Sequence, residues 1–490
     1  LCLGGYKKGK MKKLILTGKQ LRKIGYPEGP VISIAMNIME KFYKHTSEED
    51  VLQLLKNMLH DATKYEGDEV LGKIAEALLP KPLGDGAEIS LNNTGVAFNT
   101  FGSEFIEQGA FQQMYTAVKL PVAVAGALMP DAHFGYGLPI GGVLATDNAV
   151  IPYGVGVDIG CRMCLSIFGI DAKELTNRDQ YYARELNEAT LFGSGAQFAQ
   201  AANHEVMEHE AFREIELLRM LHTRAWKQLG SSGSGNHFVE FGVVEIIEHD
   251  NVLKVPAGKY VGLLSHSGSR GLGANIANHF TKVAKEKRRL PGEAANLAWL
   301  TLDEEAGMEY WIAMNLAGDY ASACHHIIHA KIAKQLARKP LAMVENHHNF
   351  AWKEMHEGKE IIVHRKGATP AGKDVLGIIP GSMTAPGFIV KGKGEVASLL
   401  SASHGAGRRM SRSLAMKSIT HSDLQSELKK HGVTLLAGGL DEAPFAYKNI
   451  YDVMNAQKQL VDTVGLFYPK IVKMDGTPPR RKMGKEVVGE

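Results

Sequence analysis

The sequence predicts an α+β protein: one large domain of mixed sheets with glycine-rich loops, preceded by a helical region. Apolar residues at helical spacing dominate the first eighty positions. From Pro82 to about Gly381, short apolar runs alternate with glycine-rich loops, the texture of sites held on a sheet. Helix-like and strand-like segments follow one another irregularly, which excludes a regular βαβ repeat.

Residues 1–10, LCLGGYKKGK, precede Met11 and read as an expression scar or upstream read-through, which removes Cys2 from the chemistry. Residues 11–81 form the helical N-terminal region. There VISIAMNIMEKFYKH has helical spacing, and Thr46 with Glu49 makes a capping box before VLQLLKNMLHDATKY. Residues 82–476 form the large domain. Within it, Glu210 to Leu229 and Ala274 to Arg289 read as helices, while KYVGLLSH and KEIIVHRK read as strands. No linker or internal repeat divides it, and residues 477–490 read as a basic tail.

Composition narrows the function classes. The 490 residues include 56 basic and 53 acidic ones, so a nucleic-acid site must be a local patch rather than a property of the whole chain. Four cysteines make no disulfide framework, and there is no signal peptide or long apolar span, so the expected compartment is the cytoplasm, with no membrane partner.

The chemistry sits in loops. His237 (GSGNH), His266 (LLSHSGSRGLG), His347 and His348 (ENHHNF) and His404 (SASHGAGRR) lie beside small polar residues instead of on apolar faces. In GVGVDIGCRMC, Asp158 and Cys161 stand three apart in a glycine-bearing turn, where carboxylate and thiolate can converge. A thiolate, a carboxylate and several neutral imidazoles suit one or two divalent metals, zinc first on ligand chemistry, then manganese or iron. Cys164 completes a C-x-x-C but leads into the strand-like LSIFGI, and Cys324 is too solitary to finish a structural zinc site. Cys164 is therefore expected in the core.

Three further loops suit anions. SHSGSRGLGANIANHF, with Arg270, has neither the G-K-[ST] ending of a P-loop nor a dinucleotide fingerprint, and is either a phosphate cradle or a tight turn. SASHGAGRRMSR flanks His404 with glycines and follows it with Arg408, Arg409 and Arg412. Here His404 is either a nucleophile toward phosphorus or part of a surface turn. HRKGATPAGKDVLGIIPGSM adds His364, Arg365, Lys366 and Ser382. These residues together point to a metal-dependent enzyme acting on phosphates.

The motifs GVGVDIGCRM, GSGNHFVE, SHSGSRGLG, HHNFA, HRKGAT, PGSM and SHGAGRR, in this order between about Met129 and Lys448, resemble the RtcB family of RNA-splicing ligases. The resemblance implies a GTP-dependent enzyme with two Mn2+ ions that joins RNA 2′,3′-cyclic phosphate or 3′-phosphate ends to 5′-hydroxyl ends, in tRNA splicing or RNA repair. It implies a histidine–GMP intermediate on His404. It places Cys161 between the two ions, Asp158 and His237 on one, and His266 and His348 on the other; the family's ligand directly precedes asparagine, which selects His348 over His347. For GTP it implies Asn236 at the triphosphate, Glu240 at the guanine edge, Tyr447 on the base, and Ser382, Gly405 and Gly407 in nucleotide-contacting loops. Lys473, in PKIVKMDG, is the nearest match to a guanine-reaching lysine. Arg270, Lys366 and Arg408 are the candidates for RNA phosphates, and an archease-like activator is the further partner implied. Two rival classes use the same residues: a two-metal phosphohydrolase or cyclic phosphodiesterase that needs no nucleotide, and a protein that binds RNA ends without turnover.

Overall fold

Alternating apolar residues build an eight-stranded sheet, which a long helix covers on one face. A computed structural model describes residues 16–27, 30–65, 67–78, 88–248 and 251–476; segment 1–10, the expected junction at 81 and 82 and the tail 477–490 lie outside these. Seven strands follow the spatial order Leu376–Ile379, Gly387–Gly392, Val461–Met474, Phe238–Ile246, Gly258–Ser267, Arg162–Asp171 and Pro340–His347, and Thr434–Ala437 pairs in parallel with Val461–Met474. The other pairings are antiparallel, so the sheet is mixed.

Side chains of period two divide between its faces. Val239, Phe241, Val261 and Leu263 pack against Ile328 and Ile332 of the 31-residue helix Glu305–Gln335. Met163, Leu165, Val244, Leu264, Ile378 and Phe467 fill the other side. The sheet curls until its edge strands meet there. The side-chain amide of Asn346 joins them like a peptide group, accepting from Ile378 N–H at 2.9 Å and donating to Ile378 O at 3.3 Å.

A five-stranded sheet, in the order Phe98–Thr100, Ala123–Tyr136, Leu138–Thr146, Lys359–Lys366 and Asn349–His356, packs beside it, with one parallel pair. Its ladder breaks between Leu128 and His133, so Met129–Ala132 bulge out. The bulge aims Asp131 at the site.

The helices before residue 79 have their own core, including Leu21, Ile32, Met39, Val51, Leu55 and Met58. An Arg22–Glu305 ion pair and a bond from Asn37 Nδ2 to Leu302 O (2.5 Å) dock them at the start of the long helix. The cap before Val51 is one residue later than the sequence suggested: Ser47 accepts from Asp50 N–H and opens the helix Glu48–His60. Both strand assignments hold, as Gly258–Ser267 and Lys359–Lys366. The helix expected from Glu210 to Leu229 breaks at Ile215, whose extended backbone (φ −92°, ψ 121°) separates Ala211–Glu214 from Glu216–Gln228. The next helix starts at Arg270, four residues before the expected Ala274, and ends at Lys287. Among the described residues, no helix is long and apolar enough to cross a membrane.

Candidate metal and nucleotide site

The turn of GVGVDIGCRMC is pinned before it reaches any ligand. Gly160 has φ 69°, and a Cβ there would stand 2.8 Å from Gly318 Cα of the long helix. Only glycine suits both the angle and the space. Ser269 Oγ donates to Ile159 O (2.5 Å) and Asn349 Nδ2 to Asp158 O (3.3 Å), which fixes the backbone on either side of the Asp158 carboxylate.

From this turn the donor atoms form a continuous chain. Asp158 Oδ2 lies 2.8 Å from His237 Nε2, His237 Nε2 lies 3.4 Å from Cys161 Sγ, Cys161 Sγ lies 3.2 Å from His266 Nε2, and His266 Nε2 lies 3.2 Å from His348 Nε2. The His266 Nδ1–H donates to Asn236 O at 2.9 Å, which leaves the Nε2 lone pair aimed inward. A Cβ at Gly233 would overlap the His237 ring, and one at Gly268 the Asp158 carboxylate. The two glycines leave room for the ligands.

Burial sets the protonation states. It pushes His266 down to about 3, with His237 adding to the effect, and holds His348 well below the ordinary imidazole range, with His404 and His266 adding. Both rings are therefore neutral near pH 7 and can offer lone pairs. Burial and the neighbouring Asp158 push the Cys161 thiol up, so without a cation it keeps its proton, which a bound metal would displace. One sulfur, one carboxylate and three imidazoles converging in this way fit one or two divalent ions.

The reverse face of the same strands carries a second group, Cys164, His325 and His329. Cys164 is fully buried, as its strand context predicts. The two imidazoles are satisfied by neighbours: Ser166 Oγ to His329 Nδ1 at 2.7 Å, His329 Nε2 to Ser265 Oγ at 2.8 Å, Ser265 Oγ to His325 Nδ1 at 2.6 Å, and His325 Nε2 to Ser267 O at 3.1 Å. Hydrogen bonds thus meet the polar demand of these rings and tie the His266 strand to the long helix.

His404 stands at the open side of the donor chain, its ring centroid 5.0 Å from that of His348. Its Nδ1–H donates to Asp131 Oδ2 at 2.7 Å, and its backbone N–H donates to the same oxygen at 3.1 Å. Burial opposes a charged Asp131, but the bond and charge of His404, with Lys448 behind them, outweigh it and hold the carboxyl below its usual range. Lys448 also clamps the bulge, donating to Pro130 O (3.2 Å) and Ala132 O (2.8 Å). The result is an imidazole with Nδ1 occupied and Nε2 free, the arrangement of a nucleophile. Asp131→Asn should preserve the shape while removing the charge that stabilises a ring becoming cationic. Attack of His404 Nε2 on phosphorus is expected to slow by roughly 100-fold, measured as the rate at which labelled phosphorus is transferred to the protein, with divalent-metal stoichiometry unchanged.

A cavity opens in front of His404. Asn236, Glu240, His266, Ser382, His348, Gly405, Gly407, Arg408 and Tyr447 line it, so most of the sequence-derived nucleotide residues share one wall system. Glu240 is buried, and burial pushes its carboxyl well up. Arg408 pairs with Glu442 (3.3 Å) and donates to Asp441 O (2.6 Å), and Tyr447 O–H bonds Glu442. His347 lies outside the donor chain, stacked on Trp352 with centroids 5.0 Å apart.

Three candidates stand elsewhere. Lys473 alternates away from the cavity residues Val472 and Met474, and its Nζ donates to Asn187 O and Thr190 O, both at 3.2 Å. Arg270 is buried and donates to Ser231 Oγ (3.1 Å) and Gly193 O (2.6 Å). Lys366 is spent on the carbonyls of Tyr136 and Tyr153, and burial pulls its ammonium down to about 7. Of the RNA-phosphate candidates, Arg408 alone faces the cavity. Sequence reasoning missed Asp131, His133 and Glu442 as site residues. A carboxylate two residues before a histidine in MPDAHFG was the available signal for the first two. Arg412 stood in view as one of the arginines after His404, but nothing in DEAPFAYK marked Glu442.

Residues 113–474 match the family model described as tRNA-splicing ligase RtcB. The RNA-splicing ligase RtcB of Escherichia coli (strain K12) is 34% identical over 388 residues, covering 73% of this chain and 92% of that protein. The tRNA-splicing ligase RtcB of Archaeoglobus fulgidus is 31% identical over 431 residues, covering 72% and 88%. The RNA-splicing ligase RtcB of Mycobacterium bovis is 31% identical over 415 residues, covering 71% and 96%. The matched span contains every donor and cavity residue described above and leaves the N-terminal helices outside.

Proposed function

The chain belongs to the RtcB family, and from that premise we propose that it is an RNA ligase of tRNA splicing or RNA repair, acting in the cytoplasm. It joins 2′,3′-cyclic phosphate or 3′-phosphate ends to 5′-hydroxyl ends at the expense of GTP. The observation that carries this reading is the His404 imidazole, oriented by Asp131 at 2.7 Å and facing a cavity that also contains the donor chain.

Asp158 and His237 would hold one Mn2+, His266 and His348 the other, and Cys161 both; bound there, the ions would neutralise phosphate charge. His404 Nε2 attacks the α-phosphorus of GTP, an N–P bond forms, and pyrophosphate leaves. Asp131 steadies the ring as it gains positive charge. An oxygen of the RNA 3′-phosphate then takes the GMP from His404, returning the ring to its neutral state. The 5′-hydroxyl attacks the activated 3′-phosphorus, GMP leaves, and the phosphodiester closes. Asn236 and Ser382, which line the cavity, would contact phosphate oxygens, and Tyr447 would pack on the base. Glu240, buried in the cavity wall, would accept from the N–H edge of guanine, which supplies donors that adenine lacks there. An archease-like activator is the partner that suits this cycle.

Incubating the protein with GTP labelled at the α-phosphate and Mn2+ should give a covalent adduct that RNA with a 3′-phosphate discharges. Absence of an adduct with every divalent metal tried, together with metal-dependent phosphate release or cyclic-phosphate opening in the absence of GTP, would replace ligation by a two-metal hydrolase.

A further inference from the structure

The hairpin that brings His133 to the cavity also places two large rings in solvent. Phe134 is 58% exposed and Tyr136 is 70% exposed. Their backbone is nevertheless tied from three directions. Glu107 accepts from Phe134 N–H (2.6 Å), Gln113 both donates to Gly135 O (2.7 Å) and accepts from Gly135 N–H (2.9 Å), and Lys366 donates to Tyr136 O. The fold thus fixes the backbone beneath two aromatic side chains that it leaves exposed.

By strand alternation Phe134 and Tyr136 turn to the face opposite His133, so the hairpin borders the cavity on one side and presents the rings to solvent on the other. His133 is in the cavity wall, and a Cβ on Gly367 would stand 3.2 Å from His404 Cε1. Lys366, the residue before Gly367, brackets the Tyr136 carbonyl to that of Tyr153 (3.3 Å). Beyond Tyr153 runs a groove lined by Asn278, Lys282, Lys285 and Asn296, with Lys285 Nζ 2.7 Å from Asn296 Oδ1. Glu286 shares the groove and pairs with Lys282 at 3.8 Å. The hairpin therefore adjoins the cavity at His133 and this groove at its tip, where a Cβ on Gly137 would stand 3.4 Å from Asn296 Cβ.

Resting on the ligase reading above, we propose that Phe134 and Tyr136 stack on unpaired bases of the RNA strand whose 3′-phosphate enters the cavity, while the groove of Lys282 and Lys285 takes its backbone phosphates. Every base offers a π-face, so stacking suits an enzyme that must accept ends of many sequences. Rings on a fixed backbone lose little freedom when a base docks, which favours binding. The chain is nearly balanced in charge, so attraction for RNA has to come from a local patch of this kind.

The test uses a short single-stranded RNA with a 3′-phosphate and 2-aminopurine next to its terminal nucleotide, bound to the full chain. Wild type should quench the 2-aminopurine. Phe134→Ala with Tyr136→Ala should lose the quench and bind about 10-fold or more weakly, and Phe134→Trp with Tyr136→Phe should restore both. Lys282→Gln with Lys285→Gln should flatten the salt dependence of binding. Unchanged quench and affinity in the alanine pair would overturn the stacking site, and an unchanged salt slope would overturn the groove. GMP adduct formation by wild type without RNA, measured in parallel, reports separately on the ligase reading, so the failure of one is distinguishable from the failure of the other.

Discussion

Replacing His404 by alanine is expected to abolish the covalent GMP adduct entirely while leaving the protein able to bind two Mn2+ ions. The separation follows from geometry. His404 is outside the chain from Asp158 to His348, so its removal takes the nucleophile and no metal donor. Labelled GTP reads the first effect and metal titration the second; an adduct that persists in His404→Ala would move the nucleophile to another residue. A stability cost should accompany it. Asp131 would remain buried with its main partner gone, a loss of about 1–3 kcal/mol. The sign with pH follows from the lowered Asp131 carboxyl. In wild type this group stabilises the fold above its unfolded value of about 3.9, and the contribution is lost as pH falls through the lower folded value. The variant keeps only the backbone N–H bond and the Lys448 charge on Asp131, so it has less of this contribution and the gap between the two unfolding curves should narrow in acid.

Cys161→Ser should fold and yet lose both metal binding and guanylylation. A serine hydroxyl nearly matches the thiol in size but stays protonated near pH 7, so the site exchanges an anionic sulfur that can be shared for a neutral, weaker ligand. A loss of at least ~100-fold in Mn2+ affinity is expected, since even indirect partners of metal ligands cost that order. Cys164→Ser is the control on the same strand. Cys164 faces the long helix and its histidines, away from the donor chain, so this change should lower the unfolding midpoint more than it alters Mn2+ binding. Two ions bound at wild-type affinity in Cys161→Ser would overturn the shared-thiolate assignment.

Residue type and local spacing made the donor set legible, because ligands in tight glycine turns cannot be mistaken for a periodic apolar face. KEIIVHRK, with β-branched residues between turns, coincides with its strand. What escaped had no local signature. The helix Glu305–Gln335 is buried on many sides, with Tyr310, Ala317, Ala321 and Ile328 all at 0% exposure, so it shows no polar stripe against which to read a period. Asp131 meets His404 across 273 positions, a contact created by a bulge rather than by spacing. Arg270, Lys366 and Lys473 show a related limit. Sequence gives their charge, but the direction of each side chain depends on which strand or helix stands behind it, and all three turn toward backbone carbonyls or buried neighbours.

The Asn346 amide that joins the two sheet edges bears on the order in which the site is assembled. The Asn346–Ile378 contact closes a span of only 32 positions, whereas the pairings of Arg162–Asp171 with Pro340–His347 and of Phe238–Ile246 with Val461–Met474 join far more distant segments, so loop-closure entropy favours the seam forming first. Asn346 is two residues before His348. The seam acts as a local latch: it fixes the strand end that carries His348 before the distant strands arrive, so that this imidazole has its place beside His404 when the sheet closes.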